Sequence, residues 1–139
     1  MRLSFVLDDK DLVRFVNPMD IARWGLGVQS HPSFVTGYGS KLFFDDDQQF
    51  PDTQNVLFEY EPSAEDGRQR QLIFEQRIWA PYFEQGYENG NAFYGTNGFM
   101  LLGKHGGWKL IGARNKLREQ MSGTPDLRAH HDDFFRCIR

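Results

Sequence analysis

Two consecutive runs of alternating residues constrain the fold of this chain more than any other feature. Asn55–Glu61 carries bulky apolar residues at every second position, and Gln69–Trp79 repeats the alternation. A period of two is the pattern of a half-buried β-strand. The intervening Pro62–Gly67 has the composition of a turn, so the two runs predict an antiparallel hairpin.

Further strands are predicted on both sides of this hairpin. Downstream, Asn97-Gly98 and the glycines of Gly103–Gly107 separate short apolar runs, and Asn-Gly favours the two-residue turn of a hairpin. Upstream, Ser33–Phe44 reads as a long strand bent at its glycines, and residues 3–7 read as a short one. The short downstream runs are Asn91–Tyr94, Phe99–Gly103 and Trp108–Ile111.

Three helices are predicted around these strands. Asn17 caps a helix over Pro18–Trp24 that stops at Gly25 or Gly27, with Ile21 and Trp24 on its apolar side. Residues 115–121 are predicted as a short helix. The last helix begins at 125–128 and runs to the end, with Cys137 on its apolar face as a small buried side chain.

These elements together predict an α+β fold, with an antiparallel or mixed sheet and helices on one face. The length of 139 residues fits a single domain over 1–139. Thirteen phenylalanines suit the pleated surface of such a sheet.

The charge of the chain excludes some classes of partner. A net charge of −3 gives no general attraction to nucleic acid. Residues 42–66 are acidic without a base and residues 89–118 are basic without an acid. These segments either pair, within the chain or between subunits, or form two separate solvated surfaces.

No apolar run reaches the length of a membrane span, and Met1–Lys10 lacks the apolar core of a secretion signal. One cysteine permits no intrachain disulfide. The sequence therefore predicts a cytoplasmic protein.

One group of side chains is a candidate binding site. Glu75, Arg77 and Trp79 alternate onto one face of a predicted strand, and Tyr82 follows closely. A carboxylate, a guanidinium and an indole on one surface can bind a sugar or polyol. The same residues can instead pair with Glu59 and Glu61 on the neighbouring strand, or form an oligomer contact.

The sequence predicts no metal site. Asp45-Asp46-Asp47 lacks the glycine and glutamate of a calcium loop and reads as a solvated loop. The neighbours His130 and His131 point about 100° apart on a helix, so they cannot share one metal ion. Gly103–Gly107 lacks the order of a phosphate-binding loop and reads as a hairpin turn.

The run Met19–Val28 resembles a segment of the glucose–fructose oxidoreductase and inositol dehydrogenase family (Gfo/Idh/MocA). That family combines an N-terminal Rossmann domain, which binds NAD or NADP, with a C-terminal α+β domain on the substrate side. The resemblance implies that this domain is an open, mostly antiparallel β-sheet with helices on one face. The resemblance covers residues 18–139, after an atypical segment 1–17. The other stretches that carry it are Phe44–Gln48, Pro51–Gln54, Phe74–Arg77, Phe93–Met100 and His130–Arg139.

The resemblance implies a domain without its own catalysis. Asn17 stands where the family has a catalytic histidine, and Val13 stands where it has a second polar residue. Asn cannot act as a general acid or base near neutral pH, and Val forms no hydrogen bond. No catalytic, cofactor-binding or metal-binding residue is therefore expected in this chain.

Three functions follow as expectations. The first is a stand-alone or remnant substrate-side domain, inactive alone, that forms homo-oligomers through its sheet face. The others are half of a split dehydrogenase acting with a separate Rossmann protein, and a sugar- or polyol-binding module. An exposed sheet face carrying Ile73, Trp79 or Phe93 would leave an apolar patch that soluble monomers rarely show.

Overall fold

The computed structural model describes residues 2–6, 16–83, 85–103, 107–123 and 126–138. Most of the strands follow one another directly between a helix near the start and a helix at the end, as the sequence predicts. In chain order they are β1 (Arg2–Val6), α1 (Val16–Leu26), β2 (Phe34–Ser40), β3 (Thr53–Tyr60), β4 (Arg70–Arg77), β5 (Gly90–Gly95), β6 (Gly98–Gly103), β7 (Trp108–Ile111), β8 (Leu117–Met121) and α2 (Leu127–Ile138).

The α+β class and the antiparallel pairing are confirmed, but the strands form two sheets instead of one. One sheet has the order β2-β3-β4 and the other the order β1-β5-β6-β7-β8. Strand β1 is hydrogen-bonded to β5 and also lies close to β4. It therefore stands where the two sheets meet.

The hairpin predicted from the alternating runs is present in β3 and β4. Their register pairs Asn55 with Glu75 and Thr53 with Arg77. Strand β2 ends at Ser40, although the sequence predicts a strand continuing to Phe44. The strand stops because the backbone N–H groups that follow it bind the Asp52 carboxylate instead of a neighbouring strand.

Helix α1 begins at Val16, so Asn17 lies in its first turn and does not precede the helix as a cap. Of the two predicted ends, Gly25 and Gly27, the helix uses Gly27, whose φ is 67°. There Gly27 N–H donates to the Trp24 carbonyl and Val28 N–H to the Arg23 carbonyl, the paired bonds of a Schellman ending. Gly25 lies inside the helix. The ring of Phe93 packs so close to it that a Cβ at this position would overlap the ring.

The apolar side of α1 differs from the prediction. Ile21 is exposed, and Trp24 is 83% exposed. Helix α1 instead turns Met19, Ala22 and Leu26 toward the sheets. These three positions follow the three- and four-residue spacing of one helical face.

The core lies between α1 and one face of the β2-β3-β4 sheet. Phe74 and Leu72 of β4 and Tyr60 of β3 are each at most 2% exposed. Phe93 of β5 is also buried, in contact with α1, so it is not on an exposed sheet face as proposed from the sequence. Strand alternation then directs Glu75 and Arg77 to the opposite face of the sheet.

The predicted helix over 115–121 is wrong, because Leu117–Met121 forms β8. Arg114 and Asn115 have positive φ angles of 58° and 57°, respectively. These angles end a 3₁₀ turn and begin a tight reversal of the chain. The Gly112 N–H donates to the Lys116 carbonyl across that reversal. β8 is thereby returned antiparallel to β7.

The final helix is confirmed as α2, but its packing is not. Phe134 and Phe135 are each 60% exposed, and Cys137 is exposed and not buried as predicted. Helix α1 packs on β4 and β5. The prediction that helices cover one face therefore holds for α1 and not for the apolar residues of α2.

Candidate functional site

Asp52 organises the loop that follows β2. Its side chain is 1% exposed, and its carboxylate accepts hydrogen bonds from the backbone N–H groups of Leu42, Phe43 and Phe44 at 2.8–3.0 Å. The Thr53 hydroxyl donates to the same carboxylate at 2.8 Å. A buried charge is tolerated only when it is paired or hydrogen-bonded, and these donors meet that requirement.

The same contacts set the protonation of Asp52. Burial raises the pKa of its carboxyl. The hydrogen bonds from the N–H groups of Leu42, Phe44 and Phe43 lower this pKa, and together they outweigh the effect of burial. The net result is a pKa well below the ordinary value of 3.8. Asp52 is therefore an ionised structural anchor and cannot supply a proton near neutral pH.

Trp79 is connected to this anchor. Its indole Nε1–H donates to the Thr53 hydroxyl oxygen at 2.8 Å, and that hydroxyl donates in turn to Asp52. The ring of Phe43 stacks on Trp79 with centroids 5.5 Å apart and planes at 17°. The anchored loop thus covers one face of the indole.

Arg77 joins two other predicted residues. Its Nη2 lies 3.6 Å from Glu75 Oε1, and its Nη1 donates to the Tyr82 hydroxyl at 3.2 Å. Glu75, Arg77 and Tyr82 therefore form one polar group, while Trp79 belongs to the neighbouring Phe43–Thr53–Asp52 group.

Glu75 and Arg77 do not stand opposite Glu59 or Glu61 in the register of β3 and β4, so the alternative cross-strand pairing is wrong. Glu59 stands opposite Gln71, whose Nε2 donates to Glu59 Oε1 at 2.8 Å. Glu61 follows the end of β3. Cross-strand neighbours of Glu75 and Arg77 are instead Asn55 and Thr53.

The outer face of the β2-β3-β4 sheet, meaning the face opposite α1, carries these residues. Register places Tyr38 beside Asn55 and Asn55 beside Glu75 in one row across the three strands. Tyr38 is 72% exposed, and Glu75 and Arg77 are half-buried. The face therefore offers a phenol, amides and an ion pair to a partner or a hydroxylated ligand.

Sequence reasoning missed the importance of Phe43 and Asp52. The sequence places Phe43 in the predicted strand Ser33–Phe44. It contains no pattern around Asp52 that indicates a buried aspartate. The one indication in the sequence is Thr53. Asp52-Thr53 at the start of an alternating run places a hydrogen-bond acceptor next to a hydroxyl donor. The backbone N–H groups that bind the Asp52 carboxylate lie eight to ten residues before it in the chain.

Some acidic residues outside this region lie in local ion pairs. Asp46 pairs with Lys41 at 2.7 Å, and Asp66 pairs with Arg70 at 3.4 Å. No group of three or more His, Cys, Asp or Glu side chains is placed for a metal ion among the described residues. Val13, the His130 side chain and residues 104–106 lie outside those residues.

No family model, curated protein or solved structure matches this chain. Neither helix of the described residues has the length and apolar character needed to cross a membrane.

Proposed function

We propose that this chain is a substrate-side and oligomerisation domain of the kind found in NAD(P)-dependent oxidoreductases, without hydride-transfer activity of its own. The resemblance to the Gfo/Idh/MocA family is the basis for that class. The proposed activity is self-association in the cytoplasm through the outer face of the β2-β3-β4 sheet.

The observation that carries the proposal is the asymmetry of this sheet. Its inner face is closed by α1, with Phe74 2% exposed. Its outer face has no helix against it in the described residues and carries Tyr38, Leu57 and Ile73 among polar groups. An antiparallel sheet can leave its second face in water, but apolar side chains on that face mark a surface that a second subunit can cover.

The composition of the outer face suits a subunit contact. Tyrosine and arginine are enriched in protein interfaces, and Tyr38 and Arg77 stand on this face. Glu75 and Arg77 already neutralise each other, so a second copy that covers them would not leave either one as an unpaired charge.

Sedimentation velocity with matched variants tests this proposal. The chain is expected to sediment as a dimer or larger at micromolar concentration, and Tyr38→Arg is expected to shift it to a monomer. Trp24→Arg is the control, because Trp24 is an equally exposed aromatic residue on α1. A monomeric wild-type chain, or equal effects of the two variants, would refute the proposal.

The absence of hydride transfer is tested separately. Asn17 lies in the first turn of α1, where its amide cannot exchange a proton as a catalytic histidine would. No oxidation of polyols with NAD or NADP and no thermal stabilisation by either cofactor are expected. Stabilisation at micromolar cofactor would show that the assigned class is wrong. Activity that arises only after a Rossmann protein is added would instead favour the split dehydrogenase.

Polyol binding is the second candidate, favoured by the Glu75–Arg77–Tyr82 group beside Trp79. It is weakened by the ring of Phe43, which already occupies one face of the indole. Sugars that bind by stacking need such a face. A glycan array that shows binding lost in Arg77→Gln would support this candidate.

A further inference from the structure

A groove opens where the ends of the two sheets meet, away from the outer face described above. Its volume is about 600 Å³, within the range of roughly 300–1,000 Å³ typical of small-molecule sites. Its walls come from the turn before β4, the β5–β6 turn, the end of β7 and the start of β8. The groove is thus built from strand ends of both sheets.

The groove carries an excess of positive charge. Arg68, Arg70 and Arg118 line it together with a single carboxylate, that of Asp66. Asp66 binds Arg70 through both of its oxygens, each at 3.4 Å. Arg68 and Arg118 remain as cations that an anionic ligand can meet.

Arg118 is exposed, and it forms no ion pair within the described residues. Its guanidinium lies directly over Gly112, where any Cβ would overlap it. The Gly112 N–H also donates to the Lys116 carbonyl at 2.9 Å, which closes the turn just before the strand that carries Arg118. A guanidinium without an ion pair is suited to bind carboxylate or phosphate through two parallel hydrogen bonds.

Aromatic rings form another part of the wall. Tyr94 and Phe99 face each other across the β5–β6 hairpin, with centroids 5.3 Å apart and planes at 26°. Tyr94 is 36% exposed, so part of its ring is open to the groove. Each of these rings covers one face of the other, so a planar ligand ring would pack against the part of Tyr94 that stays open.

We propose that this groove binds a small organic anion that has a planar ring. Arg118 and Arg68 bind the phosphate or carboxylate group, and the Tyr94–Phe99 pair accepts the ring. The inference is independent of the proposed self-association, because the groove lies at the strand ends and the association uses the outer face.

Four probes separate the parts of this recognition, with binding followed by NMR shifts of the Gly95–Gly98 amides. AMP has a phosphate and a ring, 2-naphthoate has a carboxylate and a ring, adenosine has the ring alone, and inorganic phosphate has the anion alone. At least one of the two ring-bearing anions is expected to bind ten-fold or more tightly than adenosine and phosphate. The tighter of AMP and naphthoate identifies the anionic group.

Matched variants complete the test. Arg118→Gln is expected to weaken the better probe at least ten-fold, and Arg128→Gln on α2 is expected to leave it unchanged. Far-UV circular dichroism and thermal melting check that both variants fold. If Arg118→Gln loses its fold, Arg68→Gln, which removes the other groove cation, replaces it with the same expected loss.

Three results would overturn the proposal. The first is that neither AMP nor naphthoate binds. The second is that phosphate alone binds as tightly as both, which is simple charge attraction. The third is an equal loss in Arg128→Gln, since that cation lies on α2 and does not line the groove.

Discussion

The ring of Phe43 lies nearly parallel to the indole of Trp79, with centroids 5.5 Å apart. The two residues are held by the same carboxylate, since Asp52 accepts the Phe43 N–H and is joined to Trp79 through Thr53. The order of the loop after β2 therefore depends on a single buried ionised group.

Replacing Asp52 with Asn should release this loop. The amide has one acceptor oxygen in place of two, so some of the N–H groups of Leu42, Phe43 and Phe44 lose their partner. We expect a lower midpoint of thermal unfolding and a shifted NMR resonance for the Trp79 indole N–H. Asp45→Asn is the control, because no hydrogen bond to the Asp45 carboxylate is described and the residue is exposed. Equal melting of the two variants would show that Asp52 is not the anchor.

Stability should depend on pH through the same residue. The folded state lowers the pKa of Asp52 below 3.8, so ionisation stabilises the fold at every pH above that value. As the pH falls below 3.8, the unfolded chain takes up the proton first and this stabilisation is progressively lost. Urea unfolding between pH 6 and pH 2.5 should show a smaller loss of stability in Asp52→Asn than in the wild type. Parallel curves for the two proteins would contradict the assignment.

The close approach of α1 to β5 makes a second substitution informative. A Cβ at Gly25 would overlap the Phe93 ring, so Gly25→Ala should cost about 1–3 kcal/mol of unfolding free energy, as overpacking does. Adding Phe93→Leu to Gly25→Ala should recover part of that loss. Gly27→Ala gives the comparison, because its φ of 67° is strained but no atom lies within 4 Å of its Cβ. Phe93→Leu should give no recovery there.

A buried and an exposed phenylalanine should differ strongly in their contribution to stability. Phe74 is 2% exposed, and Phe74→Ala should cost about 3–5 kcal/mol. Phe134 is 60% exposed on α2, and Phe134→Ala should change stability by less than about 0.5 kcal/mol. Chemical denaturation measures both values. A large loss in Phe134→Ala would mean that α2 packs on the rest of the chain.

The elements that local pattern determines were predictable from the sequence. The β3–β4 hairpin follows from strict alternation, and the end of α1 follows from Gly27, which alone supplies the left-handed residue of that ending. Residues 115–121 were not predictable in this way, because Leu117 and Met121 have both helical and strand spacing. Pairing with β7 decides between the two, and pairing is a tertiary interaction.

The site was predictable only in part for a similar reason. Alternation brings Glu75 and Arg77 to one face with Tyr82 close behind, and in the structure these three residues are in contact. The Phe43–Trp79 stack and the Asp52 anchor depend on where a loop returns. No local sequence pattern encodes that return, so this half of the site had to be found in the structure.

Radical footprinting of Tyr38 and Trp24 at two protein concentrations tests the proposed association most directly. Both aromatic side chains are highly exposed, at 72% and 83%, but only Tyr38 stands on the outer face of the β2-β3-β4 sheet. Raising the concentration from nanomolar to high micromolar should reduce oxidation of Tyr38 several-fold and leave Trp24 unchanged. Unchanged oxidation of Tyr38, or stronger protection of Trp24, would contradict self-association through this face.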